Sequence, residues 1–272
     1  MKVADAQRLI PYIKEKFVAE FPMAKEIVEQ TPFILISNRG RAEARQRAFD
    51  ACGARFKEDG DIRGEVIFGP KGRAVLIYTA VADSEIDFCH TGWHELGHVF
   101  TNVVNKQLFI DAENDANAMH DTKIRSGMSI WSEFIAEYIA LIVEDTAPQP
   151  FAWHKQDMLT HLIADATKKG TLNPYPLAFY CAMVMGDNTI EVMLERTPDA
   201  AIGLNDSDDY LAELVVGLLQ KLDEQLCKDD FWDITQEALE GIGDQVDELW
   251  THCYYSVMPL ALEKIIKEAK KQ

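Results

Sequence analysis

Length, composition and charge limit the classes of protein to which this chain can belong. The 272 residues are 47% apolar, enough to form a buried core, and 26% charged, an ordinary share for a globular protein. The net charge of −18 argues against nucleic acid as a partner, because binding to phosphate backbones depends on an excess of lysine and arginine.

The first elements predicted along the chain are a long helix, a strand and a second helix. Apolar residues at helical spacing predict a helix over 4–30, which Pro11 and Pro22 would shorten or kink. A short apolar run predicts a strand over 33–36. The stretch 42–52 predicts a helix, which the following glycine would end.

A hairpin and two further helices follow. Two β-rich runs on either side of a Gly/Pro turn predict a hairpin over 65–79. Helices are predicted over 86–105 and 129–145, with a polar loop over 111–127 between them. The acidic run 111–117 has oxygen ligands at alternate positions but lacks the glycine that a calcium loop requires, so we interpret it as a solvated loop.

The rest of the chain is predicted to be almost entirely helical. The Ala-Pro-Gln-Pro run at 147–150 is the best candidate for a domain boundary. We therefore predict an α+β, predominantly helical fold, with a small mixed sheet in a lobe over 1–146 and a helical lobe over 147–272. Helices in the second lobe are predicted over 151–168, 175–186, 208–227, 230–240 and 244–270.

The strongest chemical signal is an HExxH pattern formed by residues 94–98. Residues four apart share one face of a helix, so the imidazoles of His94 and His98 can bind one Zn²⁺. Glu95 lies about 100° further round the helix and can act as general base on the metal-bound water. Apolar residues on both sides predict a buried helix, in which these polar groups need partners.

A zinc site of this kind needs a third protein ligand. The predicted helix 129–145 is apolar on nearly all sides, yet Glu133 and Glu137 lie four apart on one face. Buried carboxylates are normally paired or bound to a metal. Glu133 as the third ligand, with Glu137 orienting a ligating histidine, accounts for both.

These two motifs together resemble the gluzincin branch of the zincin metallopeptidases, over roughly residues 65–145. The resemblance implies zinc bound by His94, His98 and Glu133, with Glu95 as general base and Glu137 supporting His94. It also implies that the strand before the motif helix, over 73–80, receives substrate along its edge. Ser132 stands where many members have asparagine, and the chain is shorter than the large secreted enzymes.

The sequence alone leaves open the identity of the oxyanion donor and the role of His90. Hydrolysis of this type needs a hydrogen-bond donor for the oxyanion, and the sequence does not choose one. His90, four residues before His94, could substitute as a ligand or line the site, or lie near the helix N-terminus close to solvent. The candidate oxyanion donors are His161 and Tyr175, which we slightly prefer, and Tyr138, His154, Tyr180 and His252.

Three functions are compatible with the sequence. The first is a zinc-dependent metallopeptidase acting on a peptide or protein substrate, and the second is a zincin-fold regulatory or peptide-binding protein with little or no catalysis. The third is a structural helical protein with a chance HExxH. The absence of a signal-like or membrane-spanning stretch and the five scattered cysteines lead us to expect a cytoplasmic protein without a membrane partner. The sequence does not indicate an oligomeric state.

Overall fold

A computed structural model of the chain describes residues 1–37, 41–56, 63–111, 123–144, 177–179, 181–182, 185 and 209–252. These residues form a three-stranded mixed sheet and a larger number of helices, which confirms the predicted α+β, predominantly helical class. The strands are β1 (Phe33–Ile36), β2 (Gly64–Gly69) and β3 (Gly72–Tyr78). The helices are α1 (Val3–Glu20), α2 (Lys25–Glu29), α3 (Arg41–Cys52), α4 (Glu85–Val104), α5 (Lys123–Glu144), α6 (Asp209–Leu226) and α7 (Gln236–His252).

The predicted helix over 4–30 is shortened at Pro22, one of the two prolines expected to shorten or kink it. Helix α1 ends at Glu20, a 3-10 turn spans Pro22–Ala24, and α2 follows. Proline has no N–H and restricts the residue before it, so Phe21 leaves the helical region of backbone conformation. Pro11 lies inside α1 without ending it.

The sheet has the strand order β1-β3-β2. The predicted hairpin is present: β2 and β3 are antiparallel, and their last facing pair is Gly69 with Gly72. Strand β1 is parallel to β3 on its other side. The expectation that the strand over 73–80 offers an edge to substrate is therefore wrong, because β3 is the central strand and both of its edges are already paired.

In the core of the first unit, helix α4 packs against helix α1 and against strands β2 and β3. Trp93 of α4 donates its indole N–H to the carbonyl of Ile13 in α1, at 3.2 Å. Helix α3 packs against the sheet around Phe49, Ile67 and Leu76. Burial of these apolar surfaces supplies most of the free energy that holds the helices on the sheet.

Two compact units account for the chain, one formed by residues 1–104 with 135–146 and the other by 105–134 with 147–272. Helix α5 is one continuous helix whose residues 123–134 belong to the second unit and whose residues 135–144 belong to the first. The predicted boundary at 147–150 and the predicted helix over 151–168 lie outside the described residues.

In the second unit, α7 is one helix where the sequence predicted two. The predicted break lies at 241–243, yet the helix runs through Gly241 and Gly243. The position of Gly243 explains why a glycine is there, since a Cβ atom at this residue would stand 2.0 Å from the carbonyl oxygen of Lys123 in α5. A close approach of two helices, rather than a helix end, therefore accounts for this glycine.

Helix α5 is the one described helix that is long and apolar enough to cross a membrane by length and composition. In the stretch that meets this criterion, 56% of the residues are buried inside the protein. The core helix of a folded domain meets the same criterion.

Candidate metal centre

Helix α4 carries the HExxH motif into the interior of the protein. Its side chains are buried on almost every face around the motif, and His94 and Glu95 are only 8% and 6% exposed. Burying imidazole and carboxylate groups costs free energy unless hydrogen bonds, opposite charges or a metal compensate. The surroundings of these two residues therefore indicate what the motif can do.

The two motif histidines point their imidazole rings at a common position. Their Nε2 atoms are 3.1 Å apart, and the ring planes are inclined by 85°. Two nitrogen ligands at about 2.0–2.1 Å from a tetrahedral zinc ion stand about 3.3 Å apart, so this separation is close to that of a ligand pair. In the metal-free protein the same distance allows one ring to donate a hydrogen bond to the other.

Glu133 of α5 completes a set of three ligand atoms. One atom each from His94, His98 and Glu133 can be chosen so that all lie within 4.8 Å of one another. His94 is buried, whereas His98 and Glu133 are half-buried, so the group is not sealed from small molecules. Two imidazoles and one carboxylate form a donor set that suits zinc and leaves a position open.

A close contact between helices α4 and α5 brings these groups together. Gly97, inside the motif, lies so near Ala136 that a Cβ atom there would stand 2.8 Å from the Cα of Ala136 and 3.0 Å from its carbonyl oxygen. Small residues on both helices are what permits this approach. Ala136 lies between Glu133 and Glu137 in the chain, so the contact places both carboxylates near the motif.

Glu137 supports the first histidine of the motif. Its Oε2 atom is 2.8 Å from Nδ1 of His94, which leaves Nε2 of that histidine available as a ligand atom. The Glu137 side chain is 2% exposed. Burial alone would raise the pKa of this carboxyl, but the charge and hydrogen bond of His90 and the contact with His94 outweigh burial and lower it to about 2.

His90 binds two carboxylates instead of joining the ligand set. Its Nε2 atom is 3.0 Å from Oε1 of Glu137, and its Nδ1 atom is 2.9 Å from Oε2 of Glu144. Burial opposes the charged imidazolium, but the charges and hydrogen bonds of Glu137 and Glu144 outweigh it and raise the pKa of His90 to about 9. With both ring nitrogens bonded, His90 is not a substitute metal ligand in this arrangement.

Glu95 lies beside the first residue of strand β2. A Cβ atom at Gly64 would stand 2.6 Å from Oε1 of Glu95 and 2.9 Å from its Cγ. The carboxylate therefore occupies space that any other residue at position 64 would need. The only signal of this role in the sequence is an isolated glycine directly before the predicted hairpin.

Of the six candidate oxyanion donors, Tyr138 and His252 lie among the described residues. His161 and Tyr175, together with His154 and Tyr180, lie outside the described residues. Tyr138 is half-buried on α5. His252, at the end of α7, has its ring 4.9 Å from that of Tyr210, in an edge-to-face contact. Most of the run 111–117 also falls outside the described residues.

Comparison of this chain with known protein families, with curated proteins and with solved structures gave no match. The function of this chain is therefore inferred from its own residues and their geometry.

Proposed function

We propose that this chain is a zinc-dependent hydrolase of the metallopeptidase type, with a zincin-like arrangement of the gluzincin kind around helix α4. His94, His98 and Glu133 would hold the zinc ion. The observation that carries this proposal is the convergence of their three ligand atoms within 4.8 Å, together with the contact of His94 Nδ1 with Glu137. A supporting carboxylate on a ligating histidine is the usual second partner in such sites.

Zinc, when bound, supplies Lewis-acid chemistry that polarises a substrate carbonyl and lowers the pKa of water. Glu95 accepts the proton of the attacking water as the oxygen–carbon bond forms, and returns that proton to the amine nitrogen as the carbon–nitrogen bond breaks. The burial of Glu95 and its contact with Gly64 restrict the directions in which the carboxylate can point. Restriction of this kind favours proton transfer in one defined geometry.

A peptide in extended conformation is the substrate that the surrounding structure favours. Strand β2 is an edge strand of the described sheet, and its first residue, Gly64, contacts Glu95. A peptide that adds to the outer edge of β2 would form main-chain hydrogen bonds close to the general base. The acidic net charge of the chain favours basic substrates over nucleic acid.

We further propose a cytoplasmic location. The described cysteines, Cys52, Cys89, Cys181 and Cys227, are free thiols. Free thiols are typical of proteins in reducing compartments. Fractionation of cells that express the full chain would test this location directly.

Metal analysis of the purified protein tests the ligand set first. We expect close to one zinc per chain in the wild type and a sharp reduction in Glu133→Ala, measured by mass spectrometry after exhaustive dialysis. Zinc retained in Glu133→Ala would show that the third ligand is another residue. An absence of zinc in the wild type, even after zinc is added back, would contradict the metal site itself.

The Glu95→Gln variant separates an enzyme from a zinc-containing binding protein. We expect this variant to keep its zinc and to lose cleavage of a random peptide library by about 10²–10⁴-fold, the usual contribution of a general base. A wild type that binds zinc and binds library peptides without cleaving them would favour the regulatory or peptide-binding alternative.

A further inference from the structure

A hydrogen-bonded chain of side chains extends from the candidate zinc ligand His94 to the end of helix α5. The links are His94 Nδ1 to Glu137 Oε2 at 2.8 Å, Glu137 Oε1 to His90 Nε2 at 3.0 Å, and His90 Nδ1 to Glu144 Oε2 at 2.9 Å. His90 is the central link between the two carboxylates. It lies one helical turn before His94 on α4.

Both oxygen atoms of the Glu137 carboxylate are used in this chain, one by each histidine. A carboxylate held at one oxygen can rotate about its terminal bond, whereas one held at both oxygens has a fixed plane. The position of Oε2 next to His94 therefore depends on the contact that His90 makes with Oε1. Glu137 is 1% exposed, so water has little access to replace a lost partner.

The far end of the chain is anchored in turn. Glu144, whose side chain is 17% exposed, is the last residue of α5. Lys16 of α1 donates to its backbone carbonyl at 3.0 Å, which satisfies one of the carbonyls left over at a helix C-terminus. With Glu137 on one side and Glu144 on the other, both ring nitrogens of His90 are hydrogen-bonded in the observed orientation.

We propose that His90 is a positioning residue for the metal centre: it fixes the Glu137 carboxylate, which in turn orients His94 toward zinc. This inference rests on the proposed zinc site and adds a residue beyond the ligands and their direct support. It also gives a reason for the histidine four residues before the motif. His90 acts through Glu137, and it does not contact the metal.

The test measures the zinc dissociation constant by competition with a chromophoric chelator. Outer partners of metal ligands typically contribute about 10–100-fold to metal affinity, and we expect His90→Ala to weaken zinc binding by about 10-fold. In His90→Gln the amide N–H₂ can still donate to Glu137, so we expect a smaller loss. That variant also keeps the test valid if His90→Ala does not fold.

A double-mutant cycle with Glu137 distinguishes positioning from general destabilisation. If His90 acts through Glu137, the Glu137→Ala and the His90→Ala/Glu137→Ala proteins should have zinc dissociation constants within about twofold of each other. Gln46→Ala, which removes an exposed side chain on α3 that donates to Asp50 at 2.9 Å, is the control and should leave zinc affinity unchanged. Effects of the two substitutions that multiply in the double variant would overturn the proposal.

Nuclear magnetic resonance gives a second readout that does not depend on activity. In the zinc-loaded wild type we expect a low-field proton resonance from the Nδ1–H of His94, which donates to Glu137. This resonance should move upfield in His90→Ala and return part of the way in His90→Gln. Zinc binding and a resonance that are both unchanged in His90→Ala would overturn the inference but leave the zinc site standing. A wild type that binds no zinc would overturn both.

Discussion

The carboxylate of Glu95 lies against the backbone of Gly64, so closely that a methyl group on Gly64 would stand 2.6 Å from Oε1. The two residues belong to different elements, the motif helix α4 and the edge strand β2. A glycine at this position allows the candidate general base to sit directly beside the strand end. The proposed site thus depends on the lack of a side chain at Gly64 as well as on the side chains proposed to bind metal and transfer protons.

Substitution of Gly64 by alanine should impair hydrolysis without unfolding the protein. The atoms in the way belong to the Glu95 side chain, which can rotate aside, so the fold has little to lose. A displacement of about 1 Å in a reacting group can cost about 10²-fold in rate, and we expect a loss of that size in kcat. Peptide cleavage and zinc content measured on the same preparation would check this.

The control for this substitution is Gly241→Ala on helix α7. The nearest atom to a Cβ there is the Cδ of Lys221, at 3.8 Å, so the added methyl meets no obstacle. Alanine in a helix interior is favoured over glycine by about 0.8–1 kcal/mol, so this variant should be slightly more stable with unchanged kcat. Equal kcat in Gly64→Ala and wild type would contradict the assigned position of Glu95.

Substitution of Gly97 by alanine should damage the fold and the site together. Its Cβ would meet backbone atoms of Ala136, which cannot move aside as a flexible side chain can. Overpacking of this kind costs about 1–3 kcal/mol, and we expect that loss in the free energy of unfolding of the metal-free protein. Urea denaturation followed by circular dichroism would measure it, with unchanged stability counting against the helix contact.

The stability of the metal-free protein should depend on pH through the His90–Glu137 pair. The pKa of His90 is raised to about 9 in the folded protein, so its contribution is complete below about 6.5, the usual pKa of histidine, and is lost as pH rises through 9. The pKa of Glu137 is lowered to about 2, so its contribution is complete above about 4.5 and is lost as pH falls through 2.

We therefore expect a plateau of stability between about pH 4.5 and 6.5, with a decline on the alkaline side toward pH 9. The measurement is the midpoint of thermal unfolding in the presence of a chelator. Glutamine cannot be protonated as histidine can. The His90→Gln variant should therefore lack the part of the alkaline decline that comes from His90. An identical alkaline decline in the two proteins would assign it to other groups.

Loss of one partner from the ion pair between Arg45 and Glu65 should strongly destabilise the first unit. Arg45 is 3% exposed and binds Glu65 through two contacts, of 2.6 and 2.9 Å, while Tyr78 donates to the same carboxylate at 2.8 Å. Removal of one partner of a buried pair typically costs about 3–5 kcal/mol, which we expect for Arg45→Ala in urea denaturation.

The comparison for Arg45→Ala is Lys25→Ala. Lys25 pairs with Glu29 at 4.0 Å, and both side chains are about two-thirds exposed, at 67% and 64%. Exposed pairs of this kind contribute less than about 1 kcal/mol, so the unfolding midpoint should hardly change. Similar losses in the two variants would show that burial does not distinguish these pairs.

Local patterns were sufficient for the predicted elements that depend on neighbours in the chain. The hairpin was correctly predicted because β-rich runs flank its turn, and the strand over 33–36 because it is a short apolar run after a proline. Pro22 shortens the first helix as its sequence suggested, whereas the break predicted at 241–243 is wrong, since α7 runs through it. A glycine can permit the close approach of two helices instead of ending one, and only the packing at Gly243 decides between these roles.

The sequence by itself determined the donor set of the candidate site. Two histidines four apart, with a glutamate between them, share a helix face by its periodicity, and the pair Glu133 and Glu137 does so for the same reason. The spacing of each pair along its own helix needs no tertiary information. The α+β class likewise follows from periodicity alone.

Only the tertiary structure decided how these pairs meet and what surrounds them. The approach of α4 and α5 depends on Gly97 facing Ala136. The space that the Glu95 carboxylate occupies depends on Gly64, which is distant in the chain. The link from His90 to Glu137 spans 47 residues of sequence. Contacts between distant segments follow from packing, and packing depends on the whole folded chain, so no local pattern could reveal them.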